Sequence, residues 1–289
     1  MEEIQDLLTR IEADMPRMSK GQKAISHFIL QEYDKAAFMT AMKIGEKTGV
    51  SESTVVRYAV NLGFDGYPEL QKALQELVRN RLTTLQRMEL THHQDYASVL
   101  RSVMKADMGN LRMTLDTLPT ESFETVVEAL CNAPRVYIMG LRSSAPLAQF
   151  AGYYFSFILD HVTVVTSGTQ DILEQIFRID KGDVLLGISF PRYSRRTLDG
   201  MRYARERGAT VLAITDSMAS PLAELADETL PVKSDIASFV DSLVAPFSVM
   251  NALLVAAAMR KKGEAADRFK ALEEIWSRYH VYMEKEEQP

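Results

Sequence analysis

The hydrophobic pattern changes character once along this chain. Up to about residue 131, apolar side chains recur at helical spacing. The first stripe, over residues 2 to 14, carries Ile4, Leu7, Leu8 and Ile11 and ends at Met15-Pro16. A second helix is predicted after Ser19, with Ala24, Ile25, Phe28 and Ile29 on one side. Thr40 is placed to cap a short helix from Ala41 to about Thr48, Gly49 supplies the freedom for a tight turn, and Ser51 caps the next helix. There Val55, Tyr58, Ala59 and Leu62 share a stripe. Pro68 stands at the first position of a further helix through Leu70, Leu74 and Leu77. A long helix is expected from Tyr96 to about Leu118, carrying Val99, Val103, Ala106 and Leu111, and another from about Glu121 to Cys131.

Beyond that point short apolar runs alternate with helical patterns: VYIMG (136 to 140), HVTVVT (161 to 166), DVLLGIS (183 to 189), TVLAIT (210 to 215) and ETLPV (228 to 232). Near-continuous hydrophobic strands between amphipathic helices predict a parallel sheet of five strands buried on both faces, hence a three-layer α/β domain. Ligands of such a sheet bind at the carboxyl ends of its strands. A helix from about Ser238 to Arg260 is apolar on more than one side and is expected in the core and at a subunit interface. The expected organisation is residues 1–77 as a helical domain, 78–118 as a helical linker and 119–289 as the α/β domain.

Composition narrows this picture. A chain of 289 residues with 46% hydrophobic and 25% charged residues is long enough for two globular domains. No run of about 18 apolar residues is present to span a bilayer, and the acidic N-terminus is unlike a signal peptide, so a cytoplasmic location without membrane partners is expected. The single cysteine, Cys131, lies in an apolar helical context and reads as a small buried hydrophobe. Five histidines without paired spacing predict no metal site, and no cofactor is implied. The net charge of −6 is uneven: residues 1 to 87 carry 12 basic and 12 acidic side chains, leaving 21 against 27 for the remainder. Arg79, Arg81 and Arg87 line a polar stretch that reads as a solvated linker helix.

The stretch Thr40 to Tyr67 has helix-turn-helix spacing. Its second helix leaves Glu52, Ser53, Thr54 and Arg57 off the apolar stripe. Small hydroxyls at a helix N-terminus approach phosphates and base edges closely, and a guanidinium one turn later pairs with guanine or a phosphate. Lys43, Ser51, Ser53, Thr54 and Arg57 are therefore the candidate DNA contacts. An ordinary capped helix pair has the same spacing. The SESTVVRY run followed by Asn61-Leu62-Gly63-Phe64-Asp65-Gly66-Tyr67 closely resembles the N-terminal DNA-binding domain of the RpiR family of bacterial transcriptional regulators, over roughly residues 1 to 77. With a modest basic excess of two over residues 40 to 87, affinity for double-stranded DNA is expected to need paired modules, hence a homodimer or higher oligomer on an inverted-repeat operator.

In the α/β half, the first strand runs into Gly140-Leu141-Arg142-Ser143-Ser144 and the third into Ser189-Phe190-Pro191-Arg192-Tyr193-Ser194-Arg195. Both place hydroxyls and guanidiniums ahead of a helix N-terminus, where an anion is favoured. Residues 125 to 262 resemble the SIS (sugar isomerase) domain, most clearly in the stretch Gly208 to Asp216 and in Ser220-Pro221-Leu222-Ala223. The resemblance implies a phosphosugar site at Ser143, Ser144, Ser189 and Ser194. Arg142 stands where the SIS pattern has its second glycine, and Pro191-Arg192 where it has Ser-Gly. Arg142, Arg192 and Arg195 are expected to bind the anion through their planar forks, the other reading being a subunit contact.

The function implied is a one-component transcriptional regulator of carbohydrate metabolism, not an enzyme, whose SIS domain senses a phosphorylated sugar or sugar acid. The alternative is a sugar-phosphate isomerase with an appended helical domain. It would need a general base, for which His161, Glu174 and Asp216 are possible by position.

Overall fold

The computed structural model describes residues 2–81, 95–235 and 239–283, and the chain divides into two compact units, Met1–His93 and Gln94–Pro289. Arg87, His92, His93 and Ser238 lie outside the described residues, as do the side chains of Arg79 and Arg81.

The first unit is all helical: α1 (Glu2–Asp14), a single 3₁₀ turn at Met15–Arg17, α2 (Lys20–Ala36), α3 (Ala41–Thr48), α4 (Glu52–Asn61) and α5 (Tyr67–Arg81). Its boundaries follow the local signals. Ser19 and Gln22 form a reciprocal capping box at the start of α2, with Ser19 N–H donating to Gln22 Oε1 at 3.0 Å. The core draws Ile11, Ile25, Ile29, Ile44, Val55 and Leu74 from all five helices. Tyr58 is fully buried at its centre, its hydroxyl 3.0 Å from Ser26 Oγ, and Ser26 in turn donates to Met18 Sδ at 3.1 Å. Burial pushes the Tyr58 phenol up to about 12, against the opposing pull of the Ser26 hydrogen bond.

The second unit opens with α6 (Tyr96–Thr117), capped by Asp95, and α7 (Thr120–Asn132). There follow β1 (Val136–Gly140), a 3₁₀ turn (Arg142–Ser144), α8 (Ala145–Ile158), β2 (Val162–Val165), α9 (Ile172–Ile176), β3 (Val184–Ile188), α10 (Arg195–Glu206), β4 (Thr210–Thr215), β5 (Glu228–Pro231), α11 (Val244–Arg260) and α12 (Lys262–Arg278). The five strands are all parallel in the order β2-β1-β3-β4-β5. Side chains alternate strictly between two cores. Val136, Ile138, Leu186 and Leu212 face α7, α8 and α11, whereas Tyr137, Met139, Leu185 and Val211 face α9 and α10. All five residues of β1 and of β3 are buried, as a sheet covered on both faces requires.

One expectation needs correction and another holds in part. The last apolar helix begins at Val244 rather than near Ser238, because Pro246 has no N–H and its ring collides with the carbonyl four residues back, so the proline sits in the first turn. Of the apolar stripe read for α6, Val99, Ala106 and Leu111 are half-buried, Leu111 packing on the core, and only Val103 is exposed; Leu100, Met104, Met108 and Leu115 are exposed as well, and the most buried side chains of the helix are Asn110 and Thr114. Asn110 forms a two-way pair with the Asp235 backbone, Nδ2 donating at 2.8 Å and Oδ1 accepting at 2.9 Å, and Thr114 Oγ1 accepts from Lys233 N–H at 2.9 Å. The division of the chain into two units places this helix in the second. No helix among the described residues is long and apolar enough to cross a membrane.

Candidate functional site

The helix pair α3 and α4 has helix-turn-helix geometry. Thr40 Oγ1 accepts from Lys43 N–H at 3.3 Å, and Gly49 ends α3 in the left-handed region at φ 70°. A further requirement lies at Gly45, where a Cβ would stand 2.7 Å from the Val50 carbonyl oxygen. The turn can close onto α3 only because that position has no side chain. Ser51 occupies the capping position of α4 with the expected extended backbone. Its hydroxyl, however, lies 3.0 Å from Ser53 Oγ and 2.9 Å from Thr54 Oγ1 instead of capping an amide. Lys43, Ser51, Ser53 and Arg57 are exposed and Thr54 half-buried; Arg57 Nε–H donates to the Ser53 carbonyl at 3.3 Å.

Helix α5 holds this pair in place. Tyr67, Gln71 and Gln75 recur every four residues and so share one face. Tyr67 and Gln71 both donate to the Met39 carbonyl, the latter at 2.7 Å, and Gln75 donates to Ala37 O at 3.0 Å. These carbonyls close the end of α2 and lead into Thr40, so three side chains fix where α3 starts. Burial pushes the Tyr67 phenol up to about 12. The Gly63-Phe64 loop is anchored by the Arg10 guanidinium, 5.4 Å from the Phe64 ring centroid.

In the second unit, β1 and β3 are neighbours and the chain departs from them in opposite directions, which makes their carboxyl ends the switch point of the sheet. A cavity of about 170 Å³ lies there, lined by Arg142, Ser143 and Ser144 from the first loop and Ser189, Arg192 and Ser194 from the second. Gly140 makes the first turn possible, since a Cβ on it would lie 2.5 Å from the Ser144 carbonyl oxygen. In the second loop Ser189 Oγ accepts from Ser194 N–H at 3.1 Å, and Ser194 Oγ caps α10 by accepting from Thr197 N–H at 3.3 Å. Arg142 and Arg192 adopt left-handed backbone conformations, φ 56° and 66°. Ser144, at the capping position of α8, makes no side-chain capping bond and is buried facing the cavity.

Not every expected residue converges here. Arg195, exposed in the first turn of α10, is absent from the cavity lining, and Arg196 is ion-paired with Asp171. The carboxylates considered as bases have structural partners instead. Glu174 accepts from Asp171 N–H at 2.9 Å in a capping box, and Asp216 accepts from Tyr193 O–H at 2.8 Å. His161 is exposed and its carbonyl accepts from Val136 N–H. Asp241 does line the cavity and was missed. It lies between β5 and α11, about 50 residues or more from either loop in sequence, and nothing in its local pattern marks it.

Comparison with known proteins gives the same division. A model of the helix-turn-helix domain of the rpiR family matches residues 5–81, and a model of the SIS domain matches residues 129–256. The HTH-type transcriptional regulator HexR of Pseudomonas aeruginosa is 24% identical over 265 residues, covering 89% of this chain and 91% of its own. Among solved structures, the sugar isomerase domain of an RpiR transcription factor from Sphaerobacter thermophilus is 31% identical, with TM-score 0.57, over 60% of this chain and 96% of that one. The NanR protein of Vibrio vulnificus, complexed with ManNAc-6P, shares the fold at 20% identity and TM-score 0.57 over 94% of this chain and 98% of that one. A helix-turn-helix unit in register with SESTVVRY, followed by an SIS domain on a five-stranded parallel sheet, thus places this chain in the RpiR family of HTH-type transcriptional regulators.

Proposed function

We propose that this regulator controls genes of carbohydrate metabolism. Helix α4 reads an operator of inverted half-sites through Ser51, Ser53, Thr54 and Arg57, with Lys43 on a phosphate. The switch-point cavity takes the phosphate of a sugar phosphate, and its occupancy alters operator affinity. The observation that carries this reading is the convergence of Arg142, Ser144, Arg192 and Ser194 on one small cavity from two different loops. A left-handed backbone at a residue other than glycine costs free energy, and finding it at both cavity arginines supports a binding role for them. The family's glycine amides are replaced by guanidinium forks, which bind an oxyanion with two parallel hydrogen bonds.

Asp241 adds a selection rule. A carboxylate in the lining of the anion site accepts hydrogen bonds from sugar hydroxyls or an amide, so it favours a phosphorylated sugar that offers such donors. The same carboxylate gives the isomerase alternative a candidate base, which makes a turnover assay part of the test. The protein is incubated with a panel of hexose phosphates, N-acetylated hexosamine phosphates and phosphorylated sugar acids, and thermal midpoint, operator affinity and product formation are followed. A ligand at 100 times its dissociation constant is expected to stabilise the second unit by roughly 2.7 kcal/mol and to change operator affinity without being consumed. Product formation would favour the isomerase.

A further inference from the structure

Helix α4 carries three valines, and the fold treats them differently. Val55 is fully buried beneath the helix-turn-helix, whereas Val56 and Val60 are 38% and 51% exposed. These two lie one turn apart on the outward side of α4, beside Ser53 and Arg57. A β-branched side chain loses rotamer freedom in a helix, and on a solvent face it regains nothing from packing. Alanine, lysine or glutamate would hold either position better.

The geometry of DNA binding separates the two valines. A helix-turn-helix presents the N-terminal part of its second helix to base edges in the major groove. Val56 lies in that part, in the same turn as Ser53 and Arg57, while Val60 is one residue from the end of α4 at Asn61. Around Val56 the polar groups brace one another: Ser51 Oγ sits between the Ser53 and Thr54 hydroxyls, and Arg57 donates back to the Ser53 carbonyl. An apolar group held at a base edge has one complementary feature to meet there, the C5-methyl of thymine, which cytosine lacks.

Resting on the reading of α4 as the helix that meets the operator, we propose that Val56 is a base-reading residue whose isopropyl group packs on the C5-methyl of a thymine, so that the regulator selects thymine at one position of each half-site. The experiment uses the full-length protein. Binding sites are first selected from a random duplex library, and affinity for the selected duplex is then compared with duplexes in which each thymine in turn is replaced by deoxyuridine. That replacement removes the methyl and leaves every hydrogen-bonding edge intact. At the read position the wild type is expected to bind about 4-fold more weakly, the worth of one methyl-sized group withdrawn from water. Val56→Ala is expected to bind the two duplexes alike, Val56→Thr, which keeps one γ-methyl, to retain part of the discrimination, and Val60→Ala to retain all of it. Because Val56 faces solvent, its variants are expected to stay folded, Val56→Ala with a thermal midpoint at or above that of the wild type. Selected half-sites without thymine, a wild type indifferent to every substitution, or a Val56→Ala protein that discriminates as the wild type does, each overturns the assignment.

Discussion

At the scale of single residues, the cavity is governed by two arginines held in the left-handed region, Arg142 and Arg192. Glycine reaches that region without penalty, so a chain that keeps arginine there gives up backbone stability for a side chain in a particular place. Arg192→Ala removes the guanidinium from the cavity edge while leaving Ser189 and Ser194 to brace the loop. A hydrogen bond to a charged group contributes about 1.5–3 kcal/mol, so the variant is expected to bind a stabilising sugar phosphate roughly tenfold more weakly or worse. Operator affinity measured without the ligand is expected to stay at the wild-type value. Titration calorimetry and a DNA-binding assay on the same preparation check both halves. A response to ligand at wild-type concentrations would show that Arg192 serves a different surface.

At the scale of elements, α6 is set apart by what it buries. Beside Leu111, which packs on the core, its inward groups are an amide and a hydroxyl, Asn110 and Thr114, which bind the backbone of residues 233 to 235, and Asp107, which accepts from Ser242 O–H at 2.6 Å. The helix therefore straps down the segment that also supplies Asp241 to the cavity. It follows directly on the chain that leads from the DNA-binding unit, so a change in that segment has a covalent route to the reader. Asn110→Ala deletes a buried amide together with its two hydrogen bonds to the half-buried Asp235 backbone, a loss of about 1–3 kcal/mol. Denaturant unfolding monitored on the second unit is expected to show that loss. The effect of the ligand on operator affinity is expected to shrink with it; an unchanged response would place the route elsewhere.

At the scale of the molecule, charge and exposed apolar surface point to association. The reader has no strong basic stripe, with 12 basic against 12 acidic residues over positions 1 to 87. Two readers on one operator supply what one cannot, and closed two-fold pairing is the commonest arrangement. The second unit exposes Leu100, Met104, Met108 and Leu115 on α6 and Val244, Val255 and Met259 on α11. Scattered apolar residues are ordinary, but rows of them along two helices are a surface suited to a partner. Light scattering at micromolar concentration is expected to give at least a dimer, and the selected operator to contain inverted half-sites. A monomer, or a single asymmetric half-site, would count against this assembly.

Local pattern by itself determined most of the elements, though neither α9 nor α12 was read from it. The bounds of α3, β1 and β4 were legible to the residue, because caps, glycine turns and apolar runs act over a few positions and need no distant partner. It also determined which serines and arginines belong to the first and third loops, since strand ends before helices announce themselves. What only the tertiary structure decided are relations between distant residues. Gly45 is required by the approach of the Val50 carbonyl, and Asn110 and Thr114 are buried because backbone groups more than 100 residues away hydrogen-bond to them. Asp241 reaches the cavity only once β5 and α11 are in place, and Arg195 is turned out of it by the first turn of α10. Hydrophobic period reports which side of a helix is apolar. Whether that side meets the core, water or a polar strap depends on what the rest of the chain brings to it.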